Sequence, residues 1–299
     1  MSDANLSPEP TSEPLCDYQG YDYRGEFWAG REYEDSVERI ALTRLLPATG
    51  RRLVEIGAGF GRLADLYAGY EEVVLLDPAR SMLQEARERF KGDGRFIYVL
   101  GDAYTLPLST SAFDVAITVR VLHHLTDVSA AFQEVHRILR RQGVYVLEYA
   151  NRRNLKEIAR YLAGRSRRKP FSLHPVEYAP LHFSFHPAYM EQELREAGFV
   201  VERTLAVSSF RLEGLKRLFP VAWLARLDSL LQAPTAPLKL SPSIFHAART
   251  LKEENGTGTI FRCPACGSED LEERSSSLVC RGCDRAWPVE DSIYNLRLG

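Results

Sequence analysis

The chain has 299 residues, of which 45% are hydrophobic and 26% charged, and its formal net charge is −2. This length suits one large core or two domains, and the composition is that of an ordinary globular protein. The near-neutral charge excludes a protein that coats nucleic acid with its whole surface, although a local basic patch is compatible with it. No stretch approaches the roughly 18 apolar residues of a transmembrane helix, and the first residues lack a signal-peptide pattern, so we expect a cytoplasmic protein.

Composition divides the chain into three segments. Residues 1–20 are rich in Pro, Ser, Glu and Asp and poor in aliphatic side chains, which predicts a flexible tail. Residues 21–254 alternate short apolar runs with amphipathic stretches, as expected for one large domain. Residues 255–299 begin with an NGTGT linker and contain four of the five cysteines, which predicts a separate small module.

The large segment reads as alternating strands and helices. Helical spacing of Val37, Ile40, Ala41 and Leu45 predicts a helix that leads into the first strand. The predicted strands are 52–56, 72–76, 96–100, 113–119, 143–150, 199–210 and 241–250, and the predicted helices between them are 61–68, 81–90, 130–139 and one that starts at Pro187. This alternation predicts an α/β fold with a parallel sheet covered on both faces, and its ligand should bind at the carboxyl ends of the strands.

A glycine-rich turn follows the first predicted strand. Gly57, Gly59 and Gly61 stand at alternate positions, and Asp77 ends the second predicted strand. Glycine lets the backbone come close to a ligand, and a carboxylate at the end of the second strand can accept hydrogen bonds from both hydroxyls of a ribose. The dinucleotide pattern G-x-G-x-x-G is not met, because position 62 is Arg. A tight turn without ligand is the alternative, but the position of Asp77 favours a nucleoside.

Four segments, in order, resemble class I S-adenosylmethionine-dependent methyltransferases, of the group that includes quinone and other small-molecule enzymes. They are LVEIGAGFGRLA, VVLLDPARSML, GDAYTLPLSTSAFDVAITVRVLHHLTD and EVHRILRRQGVYVLE, and the resemblance covers about residues 53–249. It implies a Rossmann-like, doubly wound, mostly parallel seven-stranded sheet and S-adenosyl-L-methionine as cofactor. One departure is that only Gly143 matches the usual glycine pair before the fifth strand, which should change a loop and leave the fold unaltered.

The resemblance implies which residues hold the cofactor. It places the three glycines under the methionine part, with Glu55 near its amino group and Arg120 beside it. Asp77 would hold the ribose hydroxyls, and Asp102 and Ala103 would meet the adenine. The full predicted set is Glu55, Gly57, Ala58, Gly59, Gly61, Asp77, Pro78, Asp102, Ala103 and Arg120.

The chemistry implied by this resemblance is in-line displacement at a methyl group that the sulfonium already activates. Positioning and exclusion of water can then contribute about 7 to 11 kcal/mol. A general base adds roughly 10² to 10⁴ fold where the acceptor must lose a proton. His123 and His124 follow the fourth strand, and we predict His123 as this base, with a structural role as the alternative. For His124 a hydrogen bond to loop backbone is the favoured interpretation.

Three further features bear on the substrate. The aromatics Tyr21, Tyr23, Phe27 and Trp28 either fold over the site as a lid or anchor the first helix. Residues 151–170 carry eight Lys or Arg against one Glu, which indicates an anionic lipid, metabolite or RNA, or else a solvated face. Residues 215–240 are an insertion with apolar side chains along one side of a predicted helix. We favour the interpretation that this stripe packs in the core. The alternatives are that it caps an apolar substrate or contacts a membrane. The stripe consists of Trp223, Leu224, Leu227, Leu230 and Leu231.

The cysteine spacing C-x2-C-x13-C-x2-C is typical of a single tetrahedral zinc site. The ligands would be Cys263, Cys266, Cys280 and Cys283, with sulfur about 2.3 Å from the metal. A redox pair or two disulfides are the alternatives. A module this short depends on its metal, so we expect a structural zinc. The pattern resembles the zinc ribbon found beside methyltransferases, including the small activator subunit of some tRNA and protein methyltransferases, although Ser292 stands where a glycine is usual.

The sequence therefore predicts a methyltransferase acting on a small or lipid-like, anionic or apolar acceptor. One alternative is a methyltransferase for tRNA, rRNA or a translation protein, favoured by the ribbon and the basic run. The other is a non-catalytic scaffold that keeps the cofactor fold. The acceptor atom and the oligomeric state are not encoded in these motifs.

Overall fold

The computed structural model describes residues 28–166, 169–252, 256 and 258–298. The predicted tail 1–20, the aromatics Tyr21, Tyr23 and Phe27, and part of the basic run therefore lie outside the described residues. Within the described ranges the α-helices are α1 (Glu32–Leu45), α2 (Arg80–Arg89), α3 (Val128–Ile138), α4 (Leu155–Leu162), α5 (Pro187–Glu196), α6 (Glu213–Leu218) and α7 (Val221–Leu231). The strands are β1 (Gly50–Ile56), β2 (Tyr70–Asp77), β3 (Phe96–Leu100), β4 (Phe113–Thr118), β5 (Leu139–Ala150), β6 (Val176–Ala179), β7 (His182–Ser184), β8 (Phe199–Val207), β9 (Ser243–Thr250), β10 (Leu271–Arg274), β11 (Ser277–Cys280), β12 (Ala286–Glu290) and β13 (Ile293–Asn295).

The central sheet has the order β10-β11-β12-β13-β3-β2-β1-β4-β5-β9-β8. Strands β1 to β5 pair in parallel, whereas β9 is antiparallel to both β5 and β8. The chain leaves β1 toward β2 and β3 on one side and returns to β4 on the other. This reversal opens a crevice at the carboxyl ends of β1 and β4, where α/β sheets bind their ligands.

Helices cover both faces of the sheet, as its apolar strands require. On one face α3 and α5 pack through buried side chains such as Phe132, Ile138 and Met190. On the other face α1, α2 and α7 contribute Val37, Leu83 and Leu224 to a second core. Because strand side chains alternate between faces, neighbouring residues of one strand enter different cores.

The predicted helix over 61–68 is wrong. Only a 3₁₀ turn, Ala64–Tyr67, forms between β1 and β2. Gly57, Gly59 and Gly61 all have positive φ, so the first part of this connection is a series of tight turns. The connection comprises only residues 57–69, and what remains after the turns is too short for an α-helix.

The C-terminal segment continues the central sheet. Strand β13 pairs in parallel with β3, and the Leu296 N–H donates to the Leu100 carbonyl at 3.0 Å. Within the described part of the chain the sheet thus has eleven strands where seven were expected, because β10 to β13 add to the seven of the larger segment. Strand β3 would otherwise be an edge with unpaired backbone groups, which this pairing satisfies. A search of the described helices finds none that is both long and apolar enough to cross a bilayer.

Candidate functional site

A cleft of about 940 Å³, its open mouth included, lies at the carboxyl ends of β1, β2 and β4. Nine of the ten residues predicted to hold the cofactor line it: Glu55, Gly57, Ala58, Gly59, Asp77, Pro78, Asp102, Ala103 and Arg120. The tenth, Gly61, lies behind the turn and packs against α2, where a Cβ would come within 2.9 Å of the Phe90 ring. Its role is therefore close packing, which a motif pattern does not separate from ligand contact.

The glycine turn is built by backbone hydrogen bonds and close approach. The N–H groups of Gly57 and Ala58 donate to the Leu76 carbonyl at 2.7 and 3.0 Å, which ties the turn to β2. Gly57 has φ +73°, and a Cβ there would lie 2.3 Å from Val121 Cγ2. At Gly59, with φ +53°, a Cβ would meet no described atom within 4 Å. Gly57 is thus required for packing, whereas Gly59 faces open space in the cleft.

Asp77 ends β2 and fastens the turn through its carboxylate. Its Oδ2 accepts the Gly59 N–H at 2.8 Å, and its Oδ1 accepts the Ala79 N–H at 2.9 Å. A carboxylate offers about four acceptor positions, so further hydrogen bonds from vicinal hydroxyls fit the same group. The side chain is buried at the cleft wall, where such bonds would be shielded from water.

Glu55 lies in the cleft floor and is 3% exposed. Its Oε2 is buried and has no hydrogen-bond partner among the described residues. Burial is the main reason that the pKa of this carboxyl rises to about 8. A buried carboxylate oxygen without a partner is costly, so the carboxyl holds a proton unless a cation or donor binds it. The α-ammonium of a methionine moiety is such a group, and the site therefore fits the predicted cofactor.

Asp102 shapes the loop after β3. Its Oδ1 accepts the N–H groups of Tyr104 and Thr105 at 2.8 and 2.9 Å, while burial raises the pKa of its carboxyl. Next to this loop, Arg297 of the C-terminal segment donates to the Pro78 carbonyl at 3.1 Å. The cysteine-containing segment thus contacts a residue of the cleft wall.

A charged cluster at the other wall was missed by the sequence analysis. The Glu38 carboxylate from α1 pairs with both Arg62 and Arg120. Burial opposes ionisation of Glu38, but the two guanidinium groups outweigh it and lower the pKa of this carboxyl. The same guanidinium groups lie 3.9 and 4.9 Å from the centre of the Trp28 ring, which lines the cleft. In the sequence, Arg62 was notable only because it stands where the dinucleotide pattern would have its third glycine. That departure did not predict an ion pair with Glu38.

The structure distinguishes the two neighbouring histidines. His124 lines the cleft, whereas His123 is not among the lining residues. His124 Nδ1 lies 3.1 Å from the Leu181 carbonyl, as favoured for this residue. Since a carbonyl only accepts, Nδ1 carries the proton and Nε2 is the basic nitrogen. Burial is the main cause that lowers the pKa of His124 to about 4, and the pKa of His123 is lowered as well.

The four predicted metal ligands converge. The sulfur atoms of Cys263, Cys266, Cys280 and Cys283 all lie within 4.8 Å of one another. The Cys263–Cys283 and Cys266–Cys280 separations are 3.7 and 3.5 Å. These distances exceed the roughly 2.05 Å of a disulfide bond. They are close to the edge of about 3.8 Å expected for a tetrahedron of thiolates about 2.3 Å from zinc.

Part of the chain that forms this cleft is similar to a known protein family. Residues 54–147 match a family model described as methyltransferase domain. This part of the chain is similar to a methyltransferase domain. All nine predicted residues of the cleft fall within the matched range, whereas the four cysteines and helices α4 to α7 lie beyond it.

Individual proteins that are similar to this chain are also named methyltransferases. The ubiquinone/menaquinone biosynthesis C-methyltransferase UbiE of Dinoroseobacter shibae is 30% identical over 140 residues, which is 44% of this chain and 54% of that protein. The malonyl-[acyl-carrier protein] O-methyltransferase of Gallionella capsiferriformans is 29% identical over 156 residues, 49% of this chain and 51% of that protein. The chain thus spans about half the length of these relatives.

A solved structure confirms the fold around this domain. The S-adenosylmethionine-dependent methyltransferase of Mesorhizobium loti aligns with a TM-score of 0.50 and 20% identity, over 73% of this chain and 99% of that one. The α/β methyltransferase fold with a mostly parallel sheet is therefore confirmed.

Proposed function

We propose that this protein transfers the methyl group of S-adenosylmethionine to an O, N or C atom of a small or lipid-like acceptor. The observation that carries the proposal is the pairing of two carboxylates in one cleft. Glu55 presents a buried oxygen without a partner, and Asp77 stands at the end of β2 beside the glycine turn. Glu55 matches an ammonium group and Asp77 matches a pair of ribose hydroxyls, and S-adenosylmethionine carries both groups.

The chain's own residues would act mainly by positioning. When bound, S-adenosylmethionine supplies a methyl group that its positive sulfur activates toward nucleophiles. The Gly59 turn leaves room for the cofactor backbone, and Asp102 and Ala103 line the part of the cleft assigned to the adenine. Trp28, held against Arg62 and Arg120, lines the opposite wall, where its ring would help to exclude water. Such positioning can contribute about 7 to 11 kcal/mol.

A proton acceptor is available for acceptors that must be deprotonated. We assign this role to His124 rather than His123, because His124 lines the cleft and its Nδ1 is held by the Leu181 carbonyl. A pKa of about 4 keeps the His124 imidazole neutral at physiological pH, but it also makes this nitrogen a weaker base than an imidazole with a pKa near 7. The assignment therefore depends on the position of His124 in the cleft.

The relatives support the proposed acceptor class. The two curated relatives described above are named for a quinone and for a malonyl-carrier substrate, which supports a small or carrier-bound acceptor here. Neither of these relatives is named for an RNA substrate, so RNA is not the favoured acceptor. For the four-cysteine cluster we propose a structural zinc.

Calorimetry with S-adenosylhomocysteine and a methyl-transfer assay test the proposal together. The protein is incubated with cofactor carrying a labelled methyl group and a fractionated cell extract. We expect binding and label in the organic or small-molecule fraction. Binding without transfer to any fraction would instead support the scaffold alternative, and label in RNA would support the nucleic-acid alternative. Absence of binding would reject the function altogether.

A further inference from the structure

Helices α4, α6 and α7 expose large apolar side chains that no described residue covers. Helix α4 buries none of its residues, and Leu155 and Leu162 are 64% and 75% exposed. Leu218 at the end of α6 is 76% exposed. We call this surface the apolar face. Its members are Leu155, Leu162, Leu218, Trp223, Leu227 and Leu230.

Helix α7 shows that this exposure is not simply the edge of a core. Its inner side is formed by Leu224, Ala225 and Asp228, which are buried. Trp223 and Leu230 point the other way and are 75% and 65% exposed. The predicted core stripe of this insertion is thus wrong in part, because only Leu224 of its members reaches the core. Several large apolar groups exposed on helices that border one groove are typical of an interaction surface.

The charged residues around the apolar face are mainly basic. Lys156, Arg217 and Arg226 are exposed, and no described carboxylate pairs with any of them. On the same helices, Glu157 is near Arg160 and Asp228 is buried. Amphipathic helices that combine Trp and Leu with Lys and Arg are typical of proteins that lie on anionic membranes.

A cationic cavity adjoins the apolar face. Arg152, Lys169 and Arg211 line it, together with Glu157. The Arg152 guanidinium is buried, and its described partners are carbonyl oxygens rather than carboxylates. This cavity shares Asn154, Glu157, Arg211 and Pro242 with the groove between α4 and the end of α7. A buried cation without an acidic partner is suited to a phosphate group.

The apolar face lies at the same end of the sheet as the cofactor cleft. Helix α4 follows the carboxyl end of β5, and α6 and α7 follow that of β8, which runs parallel to β5. We propose that this face docks on a bilayer that contains anionic phospholipid, with the apolar side chains inserted and the basic residues at the head groups. This docking does not depend on which acceptor is methylated.

Co-sedimentation with vesicles tests the docking directly. We expect the full chain to bind phosphatidylcholine vesicles that contain about 30% phosphatidylglycerol, and to bind pure phosphatidylcholine much less, because the head-group attraction is electrostatic. The triple variant Leu218→Ser, Trp223→Ser and Leu230→Ser should lose binding by on the order of tenfold or more. The matched control is Val200→Ser with Leu251→Ser, two exposed apolar residues at the opposite end of the sheet, which should bind as before.

Fluorescence and oligomeric state complete the test. The Trp223→Phe variant should still bind vesicles. We expect the intact protein to show a blue shift of tryptophan emission on binding, and this variant should lose most of that shift. Equal binding by the triple variant and the unaltered chain would overturn the proposal. The proposal would also be overturned if the intact chain were a dimer that does not bind vesicles and the triple variant were a monomer. The apolar face would then be the interface between two copies of the chain. Vesicle binding needs no cofactor, so its failure is separate from a failure of methyl transfer.

Discussion

The Asp77 carboxylate accepts the Gly59 N–H at 2.8 Å and so joins the end of β2 to the turn that follows β1. This bond fixes the one glycine of the turn at which a Cβ would meet no described atom within 4 Å. The group expected to hold the ribose therefore also holds the turn expected to face the methionine part. Changes at either residue should affect cofactor binding more than folding.

Asp77→Asn removes acceptor capacity while it preserves shape. We expect the affinity for S-adenosylhomocysteine to fall by about 10² fold or more, because hydrogen bonds to a charged group contribute about 1.5 to 3 kcal/mol each. Calorimetry measures this change. Glu71→Gln is the control, since Glu71 is an exposed carboxylate on the same strand near its other end. Equal affinity in both variants would remove Asp77 from the site.

Glu55 should make cofactor binding depend on pH. In the free protein its pKa is raised to about 8, so the carboxyl is mostly protonated at neutral pH. An ammonium group binds the ionised form, and affinity should therefore rise with pH, by roughly tenfold per unit between about pH 6 and pH 7.5. Calorimetry in buffers of different ionisation enthalpy should show release of about one proton at pH 7. In Glu55→Gln both the slope and the release should disappear, and a slope that persists would assign it to another group.

Alanine at two glycines of the turn should separate folding from binding. In Gly57→Ala the new Cβ would lie 2.3 Å from Val121 at a positive φ, so we expect a loss of about 2 to 5 kcal/mol in the free energy of unfolding. Gly59→Ala carries only the cost of its positive φ, about 1 kcal/mol, but its methyl group enters the cleft. Urea unfolding and cofactor titration measure the two effects. Similar stability losses in both variants would contradict the packing described for Gly57.

The two histidines should differ in turnover. His124→Ala should lower kcat by roughly 10² fold with little change in cofactor affinity, because a base acts only in the transition state. His123→Ala should have a smaller effect, since His123 does not line the cleft. Steady-state kinetics with an identified acceptor decide between them. A larger loss in His123→Ala would restore the assignment made from the sequence.

Removal of metal should loosen the sheet edge and weaken the cleft. Cys266→Ser or a chelator should release about one zinc per chain and unfold β10 to β13, because so small a unit depends on its metal. Amide exchange in β3 should then increase, since β13 pairs with it. Cofactor affinity should fall several-fold, because the bond from Arg297 to the Pro78 carbonyl would be lost.

Metal content and hydrogen exchange provide these measurements. Cys16→Ser is the matched control, as Cys16 stands outside the two cysteine pairs and should leave metal content unchanged. Full zinc release without any change in the exchange of β3 would show that the edge pairing does not depend on the metal.

The sequence alone predicted the order of the seven strands in the larger segment and most of its helices, the glycine turn, Asp77 and the convergence of four cysteines. Each of these depends on short-range patterns: apolar alternation, backbone freedom at glycine and the spacing of two cysteine pairs. Glu55 and Asp102, which the family resemblance implied, both line the cleft. They meet there because the carboxyl ends of parallel strands lie at one edge of a sheet.

Only the tertiary structure decided what distant segments do to one another. Glu38 reaches Arg62 and Arg120 across the fold, Gly61 turns out to pack on α2, and β13 closes the edge at β3. Likewise, the apolar pattern of α7 predicts a helix but does not show which of its sides is buried. That depends on which other elements pack against the helix. These features arise from contacts between residues far apart in the chain, and no local pattern encodes such contacts.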